Sequence, residues 1–496
     1  MEKPFTATAA SPPGHVVLLA SPGAGHLIPL AELARRLVEH QGFAATLVTF
    51  ADFATPDARS AVLFSLPASV ATATLPAVSL DDLPADVCLE KVLFELVQRS
   101  LPHLRVLMQS IGSTAGPLVA LVPDFFCPSA LSVAAEIGVP GYIFFPTNLA
   151  TLSVTSRAVQ LNDGAAAGER RALSDPLEIP GGVSLRSAEL PEGFRDSTAP
   201  SYGQLVETGR LYRRAAGFLV NTFYELEPAA AEESKIAAEN GTFPPAYPVG
   251  PFVRSSSDEA GESACLEWLD LQPAGSVVFI SFGSAGMLSV EQTRELAAGL
   301  EMSGHRFLWV VRTPSLNGES FAFGNGADRR SNDDDPLAWL PDGFLERTSG
   351  RGLAIAAWAP QVRVLSHPAT AAFVSHCGWN STLESVSAGV PMIAWPLHAE
   401  QKMNAIVLEE SVGVALRPRA REEDVGGGAV VRQQEVAAAV KELMEGEKGR
   451  AVRRRVRDME QAAARVWSPE GSSRRAMEEV AVKWKAALAS AAKPPK

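Results

Sequence analysis

The chain has 496 residues, of which 46% are hydrophobic, and a formal net charge of −12 at pH 7. This length and composition predict a globular protein of about two to four domains with large cores. The acidic balance argues against a general polyanion binder, because nucleic-acid affinity needs clustered Lys and Arg, so no nucleic-acid partner is expected. The cysteines are widely spaced, the N-terminus lacks the apolar core of a signal peptide, and no window reaches about 18 apolar residues. We therefore expect a cytoplasmic protein with reduced thiols, no metal site and no stable membrane insertion.

The first elements form a βαβ pattern. Residues 15–20 (HVVLLA) are typical of a buried strand, apolar residues then recur at helical spacing up to His40, and residues 45–50 (ATLVTF) return as a strand. Such a unit favours a parallel, doubly wound α/β sheet. The turn before the helix contains Gly23 and Gly25. A dinucleotide fingerprint would also need a third glycine and an acidic residue after the second strand, so NAD(P) binding is disfavoured.

A histidine and an aspartate follow predicted strands, at the carboxyl edge where such sheets bind ligands. His26 lies in the first turn of the predicted helix, and Asp124 follows the strand predicted for residues 118–122. The positive end of the helix dipole favours a neutral imidazole, and a carboxylate that accepts the second ring N–H would stabilise imidazolium. The pair is a candidate general-base dyad, although a histidine at a helix start is more often a capping or surface residue.

The region after Asp124 indicates a pocket for a small molecule. Residues 141–148 and 217–223 are predicted strands. From about residue 151 to 210 the pattern weakens, and the stretches NDGAAAGER (162–170) and IPGGVSL (179–185) are expected to form loops over the mouth of this pocket. Thr147 and Asn148, at the end of the first of these strands, are placed to reach a sugar. An apolar aromatic slot is expected from Phe125, Phe126, Phe144, Leu190 and Phe194.

A break in the pattern at residues 247–263, with Pro, Gly and a Ser/acid run, is typical of an interdomain linker. A second βα series follows it. Residues 276–282 are a predicted strand, and a helix is predicted to start at Ser289. Gly283 and Ser284, in the turn between them, predict an anion contact.

An acidic triplet, Asp333 to Asp335, raises a metal-dependent alternative, because an Asp-x-Asp motif at the end of a strand can hold a metal ion. Here the triplet lies in a Gly/Asn/Ser-rich loop with no strand leading into it. A solvated loop is the preferred interpretation, and metal-independent chemistry is expected.

The segment from Trp358 to Gln401 holds most of the candidate functional groups. A strand-like run ending at His376, a Cys-Gly turn, a helix-like run and a second strand predict a β-turn-α-β unit. Ser381 and Glu384 have the spacing of a capping box, which would start the helix there and direct its N–H groups toward a phosphate.

Four further side chains in this segment suit a nucleotide sugar. Trp358 offers a flat face to a nucleobase, and Gln361 offers an amide to a base edge or a ribose. Glu400 and Gln401 would lie over the carboxyl edge of the sheet. Taken alone, the tryptophan has the alternative of an ordinary core residue, and the Glu-Gln pair that of a solvated helix start.

In combination, the segment resembles the signature of plant family-1 UDP-dependent glycosyltransferases, with its W-x-P-Q opening, H-C-G-W-N-S-x-x-E centre and acid-Gln end. The flanks SFGSAGML and EQKMNAIVLEESVGVALRPR resemble the branch that glycosylates small phenols such as hydroquinone and lignin alcohols. The resemblance implies the α/β GT-B fold, in which two Rossmann-like, doubly wound parallel-sheet domains face across a cleft. It also implies an N-terminal acceptor domain (1–248), a linker (249–264), a C-terminal UDP-sugar domain (265–465) and a helix (466–496) that packs back through Trp484.

The resemblance also implies roles at the matching positions. His26 would be the base and Asp124 its partner in an inverting transfer from UDP-glucose to a small aromatic acceptor, by a monomer with no cofactor. Gln401 is the residue usual in enzymes that prefer glucose to galactose. A non-catalytic UDP-sugar sensor on the same fold is the alternative. The implied donor contacts are Gly283, Ser284, Trp358, Ala359 and Gln361 for base, ribose and phosphate; His376, Asn380 and Ser381 for the diphosphate; Glu384 for the ribose; Glu400 and Gln401 for the sugar; and Trp379 as support or a backbone contact.

Overall fold

The structure is a computed structural model that divides into two compact units. Unit 1 contains Met1–Phe144, Leu211–Leu219 and Ala476–Lys496, and unit 2 contains Phe145–Arg210 and Val220–Arg475. The structure describes residues 14–51, 62–63, 66–84, 87–166, 169–254, 263–316, 335–356, 358–418 and 430–491.

Unit 1 is built on a parallel four-stranded sheet. Its strands are β1 (His15–Leu19), β2 (Ala44–Phe50), β3 (Val70–Leu75) and β4 (Leu118–Pro123), in the order β3-β2-β1-β4. The crossover helix α1 (Ala24–Gln41) buries its apolar face and ends at Gly42, which adopts the left-handed conformation. Helices α2 (Leu89–Thr114) and α3 (Leu131–Ile137) flank β4 in the chain. The predicted βαβ unit and the predicted strand before Asp124 are confirmed.

The chain between the two βα series is more regular than the sequence suggested. After β5 (Tyr142–Phe145), α4 (Leu149–Asn162) precedes the antiparallel hairpin of β6 (Leu177–Ile179) and β7 (Val183–Leu185). Short 3₁₀ turns at Ser187–Glu189 and Glu192–Phe194 lead to α5 (Pro200–Tyr212), β8 (Gly217–Val220), α6 (Pro228–Glu239) and β9 (Ala246–Pro248).

The prediction of a loop at residues 179–185 is therefore wrong, because this stretch forms most of the hairpin. In the other predicted loop, the described residues 163–166 and 169–170 contain no helix or strand. Helix α4 is buried on most sides, so it lacks the one-sided apolar period by which a surface helix is recognised. In the hairpin, Gly181 and Gly182 take positive φ angles of 93° and 76°, which let a Pro-Gly-Gly sequence close a tight turn.

Unit 2 contains a parallel six-stranded sheet in the order β12-β11-β10-β13-β14-β15. Its strands are β10 (Val277–Ser281), β11 (Arg306–Val311), β12 (Gly352–Ala356), β13 (Thr370–Ser375), β14 (Met392–Ala394) and β15 (Ala415–Leu416). Its helices are α7 (Ala264–Asp270), α8 (Val290–Ser303), α9 (Phe344–Arg347), α10 (Gln361–Leu365), α11 (Trp379–Ser387), α12 (Gln401–Ile406), a π-helical turn (Val407–Val412), α13 (Gln433–Glu445) and α14 (Glu447–Arg465). Helix α8 starts where predicted, with the Ser289 side chain accepting a hydrogen bond from the Gln292 backbone N–H.

The chain ends in helix α15 (Ser472–Ala491), which belongs to unit 1 from Ala476 onward. Trp484 is fully buried, and its ring lies 5.5 Å from the centroids of both Phe43 and Tyr142. The domain limits expected at 248, 264 and 465 stay predictions, and residues 255–262 of the expected linker lie outside the described residues. Within the described chain, no helix is long and apolar enough to cross a membrane.

Candidate active site

His26 and Asp124 meet in unit 1, as their sequence positions predicted. Gly23 precedes α1 with a φ of 113°, and His26 is the third residue of that helix. Its Nδ1 lies 3.0 Å from Oδ2 of Asp124, whose side chain is fully buried. With hydrogen on Nδ1, the ring donates to the carboxylate and Nε2 becomes its basic nitrogen. This is the geometry that a general base with an orienting carboxylate needs.

The Asp124 carboxylate is held by two further hydrogen bonds. The Ser21 hydroxyl donates to Oδ1 over 2.7 Å, and the backbone N–H of Phe126 donates to the same oxygen over 3.1 Å. Ser21 follows β1 and Phe126 follows β4, which are neighbours in the sheet. The ends of two adjacent strands therefore fix the orientation of the carboxylate. Ser21 had no signal in the sequence beyond its place in the first turn.

Two aromatic rings lie beside the His26 imidazole. Phe125 is nearly parallel to it, with centroids 5.6 Å apart, and Phe126 is tilted at 5.5 Å. The Tyr212 hydroxyl donates to the Phe125 carbonyl over 2.8 Å and fixes that turn. The apolar surface expected near the base from Phe125 and Phe126 is present.

The other residues predicted to contact an acceptor are less exposed to solvent. Phe144 is fully buried, and Leu190 and Phe194 are buried members of a core cluster. These residues pack inside the protein, which argues against direct contact with an acceptor. Thr147 is also buried, and its hydroxyl has no hydrogen-bond partner among the described residues.

In unit 2, His376 lies between two glycines at the end of β13. A Cβ added to Gly283 would come within 2.7 Å of the imidazole, and one added to Gly378 within 2.4 Å of its Nε2. The turns after β10 and β13 thus enclose the ring by backbone alone, as a site for close ligand approach requires. Ser284, the next residue of the first turn, is exposed.

The His376 ring is uncharged at neutral pH. Burial, with a smaller contribution from nearby His398, lowers the pKa of His376 to about 3. Its Nδ1 is buried without a hydrogen-bond partner among the described residues, and such atoms usually have a partner in proteins. A neutral ring cannot supply positive charge to an anion, whereas the N-terminus of the neighbouring helix can.

Helix α11 begins directly after this turn, with Gly378 as its N-cap and Trp379 as its first residue. Its N-terminal N–H groups are the groups that bind phosphate in comparable turns. The predicted capping box is wrong, because Ser381 and Glu384 lie inside the helix. Both side chains instead accept hydrogen bonds from Nε2 of Gln361, over 2.8 Å and 2.6 Å.

The side chains expected around the base and ribose are therefore close together. Gln361 is the first residue of α10, and Ser381 and Glu384 contact it from α11. Ala359, two residues before Gln361, is buried. Trp358 is 65% exposed, which excludes the ordinary core alternative. An exposed indole next to a cluster of hydroxyl, amide and carboxylate groups suits a nucleoside, whose base stacks and whose ribose accepts and donates hydrogen bonds.

The acid-amide pair lies where α12 begins. Gln401 is buried, and its Oε1 accepts from the backbone N–H groups of Leu397 and His398 over 2.9 Å and 3.0 Å. Glu400 precedes the helix and is partly exposed, and Ala399 has a positive φ of 54°. Gln401 thus shapes the loop, and Glu400 is the more accessible side chain of the pair.

Three buried asparagines, Asn148, Asn221 and Asn404, border this site, and the sequence did not predict the contacts that they make. Asn148 was expected to reach a sugar, but its amide is committed to Thr151 and Asn404 inside the protein. Trp379 is buried and donates its indole N–H to the carbonyl of Asn221 over 2.7 Å, so its side chain acts as support. Only contacts between distant segments reveal these residues.

The side chains that could ligate a metal do not form a metal site among the described residues. Among the described residues, no three His, Cys, Asp or Glu side chains are grouped to hold an ion. Asp335 accepts from the Leu337 backbone N–H at the start of a 3₁₀ turn, and Asp333 and Asp334 lie outside the described residues. The groups that are present suit a neutral, backbone-based anion site.

Comparison with known proteins identifies the family. A family model described as UDP-glucoronosyl and UDP-glucosyl transferase matches residues 255–451. The chain is 46% identical over 476 residues to UDP-glycosyltransferase 72B1 of Arabidopsis thaliana, with 95% of this chain and 96% of the relative covered. The chain belongs to the UDP-glycosyltransferase family. It is also 45% identical to hydroquinone glucosyltransferase of Rauvolfia serpentina, over 96% of this chain and 99% of that one.

Solved structures of glycosyltransferases show the same fold. A UDP-glucosyltransferase from Polygonum tinctorium, solved with 3,4-dichloroaniline, matches with a TM-score of 0.84 and 42% identity, covering 96% of this chain and 100% of that one. Phytolacca americana UGT2, solved with UDP-2fluoro-glucose and pterostilbene, matches at 0.83 and 40%, covering 95% and 100%. This glycosyltransferase therefore has the GT-B fold of two Rossmann-like domains, and it is an enzyme.

Proposed function

We propose that this enzyme transfers glucose from UDP-glucose to a phenolic hydroxyl of a small plant-type metabolite or xenobiotic, with inversion, to give a β-glucoside. The observation that carries the proposal is the 3.0 Å contact between His26 and Asp124 beside two aromatic rings. The names of two relatives support the acceptor class, because one is a hydroquinone glucosyltransferase and another was solved with pterostilbene.

The chemistry is a single displacement. Nε2 of His26 takes the proton of the acceptor hydroxyl, the oxygen attacks the anomeric carbon, and the bond to UDP breaks. Asp124 accepts from Nδ1 throughout and stabilises the imidazolium. A phenol is a suitable acceptor, because its pKa near about 10 lies closer to that of imidazole than an aliphatic hydroxyl does.

We assign binding of the UDP-glucose donor to unit 2. The exposed Trp358 stacks on uracil, Gln361 contacts the base or ribose, and Glu384 holds the ribose hydroxyls. The helix N-terminus at Asn380, together with His376, takes the diphosphate and stabilises it as it leaves. Ser381 assists there, Gly283, Ser284 and Ala359 contribute backbone contacts, and Glu400 with Gln401 holds the sugar.

The surroundings of the reaction are also part of the proposal. The four cysteines are all free thiols, which is typical of a reducing compartment, so we place the enzyme in the cytoplasm. We expect it to act as a monomer without a resident cofactor or metal. Chelation with EDTA should leave turnover intact, and a loss that magnesium or manganese restores would contradict this part.

The test is turnover with UDP-glucose and hydroquinone. Release of UDP should match glucoside formation, and the anomeric proton of the product should have the coupling constant of a β-glucoside. UDP binding without turnover on any phenol of a broad panel would contradict the proposed activity. An α-glucoside would contradict the single displacement.

The sugar preference is tested separately. Gln401 organises the loop next to Glu400, and we expect UDP-glucose to be preferred to UDP-galactose. The two donors are compared by their turnover numbers and Michaelis constants with the same acceptor. Equal values for both donors would contradict the preference without affecting the transferase proposal.

A further inference from the structure

The turn from His376 to Asn380 is under backbone strain. Cys377 has a φ of 64°, a left-handed conformation that residues other than glycine rarely adopt. Its side chain is fully buried. Such a conformation persists only where the surrounding structure fixes it, and it is common where a ligand must be gripped in one geometry.

One side of the turn is fixed by a chain of two buried amides. Asn404 donates from Nδ2 to the Cys377 carbonyl over 2.9 Å. Its Oδ1 accepts from Nδ2 of Asn148 over 2.7 Å. Asn148 in turn accepts from Thr151 at the start of α4, so its amide orientation is fixed as well. Both asparagines are fully buried.

The other side of the turn is fixed by a third asparagine. Asn221 follows β8, and its carbonyl accepts the indole N–H of Trp379 over 2.7 Å. Its Nδ2 lies 3.4 Å from Oδ1 of Asn380, and its Oδ1 accepts the N–H of Phe252 over 2.8 Å. Asn221 is fully buried too. It holds the first two residues of α11.

We propose that Asn148, Asn221 and Asn404 are positioning residues that hold the strained turn 376–380 in the geometry that binds the donor diphosphate. The inference rests on the proposed function, because it takes UDP as the leaving group. Asn404 lies three residues after Gln401 on α12, so it also links the sugar-binding loop to the diphosphate turn. All three act through the turn.

The three asparagines do more than pair buried polar groups within the core. Asparagine is costly to bury, and each amide here is directed at a backbone or side-chain group of the turn or of another member of the set. Local sequence does not bring them together, since Asn148 and Asn404 are separated by 256 positions. Loss of one amide leaves its partner unpaired and frees Cys377 to relax toward an ordinary conformation.

The test separates the diphosphate from the nucleoside. In Asn404→Ala, the affinity for UDP should fall by roughly tenfold, the order expected from losing one buried hydrogen-bond partner. The affinity for uridine, which lacks both phosphates and contacts the Trp358 side of the site, should change little. Both are measured by calorimetry, with uridine read by displacement of UDP. The Michaelis constant for the donor should rise, and that for the acceptor should not.

Asn162→Ala is the matched control. Asn162 is equally buried in unit 2, and its amide bonds to Ala158, Arg171 and Tyr202, none of which belongs to the donor site. It should lower the melting temperature without changing the ratio of UDP to uridine affinity. If Asn404→Ala does not fold, Asn221→Ser approaches the same turn from the other side and should show the same selective loss.

Equal weakening of UDP and uridine, or no weakening of either, would overturn the positioning role. In that case, glucoside formation by the wild-type enzyme would leave the proposed function standing. Conversely, wild-type enzyme that binds UDP but makes no glucoside would refute the transferase proposal. The ratio of UDP affinity to uridine affinity in the variants would still decide the role of the asparagines.

Discussion

At the scale of single residues, burial and exposure decide which candidates can act. Taken alone, Trp358 could be an ordinary core residue, but its 65% exposure places it at the surface. His376 shows the reverse: its burial removes the charge that a histidine next to a phosphate is often assumed to carry. The contribution that we propose for it in the donor site is therefore shape and a neutral hydrogen bond.

This neutrality predicts a specific pH dependence of stability. The pKa of His376 falls from its ordinary value of 6.5 to about 3 on folding, because the ring is buried. The folded state then binds fewer protons than the unfolded state below pH 6.5, so the contribution to stability is intact above that pH and declines as the pH falls toward 3. At pH 5 the wild type should have lost roughly 2 kcal/mol through this group relative to pH 7.5.

The measurement compares the free energy of unfolding of wild type and His376→Gln between pH 7.5 and pH 5. The difference between them should narrow as the pH falls, because the variant lacks the group. His15 and His305 shift in the same direction, but they are present in both proteins and cancel in the difference. His398 also shifts in this direction and interacts with His376, so only the part of its shift that does not depend on His376 cancels. A difference that stays constant with pH would mean that His376 is accessible to protons in the folded state.

At the scale of elements, the site is made where a strand ends and a helix begins. Each unit has the same arrangement: Gly23 is the N-cap of α1, near His26, and Gly378 is the N-cap of α11, near His376. The positions of the strands and helices in the two βα series followed from apolar periodicity. The start of α11 did not, because backbone packing around His376 sets it, and an S-x-x-E spacing occurs inside helices as well as at their ends.

The packing around Gly378 gives a prediction with a clear steric cause. Gly378 has a φ of −61°, so an alanine fits the backbone, but its Cβ would lie 2.4 Å from His376 Nε2. Gly378→Ala should displace the ring and weaken UDP binding by about tenfold or more, as small displacements of positioning groups do. Gly164→Ala, where nothing lies within 4 Å of the added Cβ, is the control.

Both variants are compared by calorimetric UDP titration and thermal melting. Normal UDP affinity in folded Gly378→Ala would show that the His376 ring moves aside without cost and is not part of the donor site.

Helix α15 gives a prediction about unit 1 alone. Trp484 is fully buried against Phe43 and Tyr142, so Trp484→Ala should destabilise unit 1 by about 3–5 kcal/mol. Val482→Ala, on the same helix at a position that is 65% exposed, should have little effect. Denaturant unfolding measures both. UDP affinity should be retained in both variants under native conditions, and a large loss of it in Trp484→Ala would contradict the assignment of donor binding to unit 2.

At the scale of the whole molecule, sequence and structure contribute different information. The family signature, the two βα series and the dyad were all readable from the chain, because each depends on local pattern or fixed spacing. The grouping of residues 145–210 with unit 2, the hairpin at Gly181 and the three asparagines were not. These depend on contacts between segments that lie far apart in sequence, and local periodicity does not reveal such contacts.

The division into units predicts that binding and chemistry respond to different substitutions. His26 and Asp124 belong to unit 1, whereas Trp358 and the other donor candidates belong to unit 2. His26→Ala should keep UDP affinity within a few-fold and reduce turnover by roughly 10² or more, the usual effect of losing a general base. Trp358→Ala should weaken UDP binding by about 1–3 kcal/mol, the scale of one base stack. Calorimetric UDP titration and glucoside formation are measured on both variants.

Asp124→Asn tests how the base is controlled. An asparagine keeps the shape but removes the negative charge that stabilises imidazolium, so turnover must fall. The loss should stay smaller than that of His26→Ala if water compensates for the charge. It should approach that of His26→Ala if the amide N–H reverses the tautomer and places hydrogen on Nε2, where the acceptor proton has to go. Near-normal turnover in His26→Ala would place the base elsewhere, and the dyad would then be a structural contact of a fold whose donor site still binds UDP.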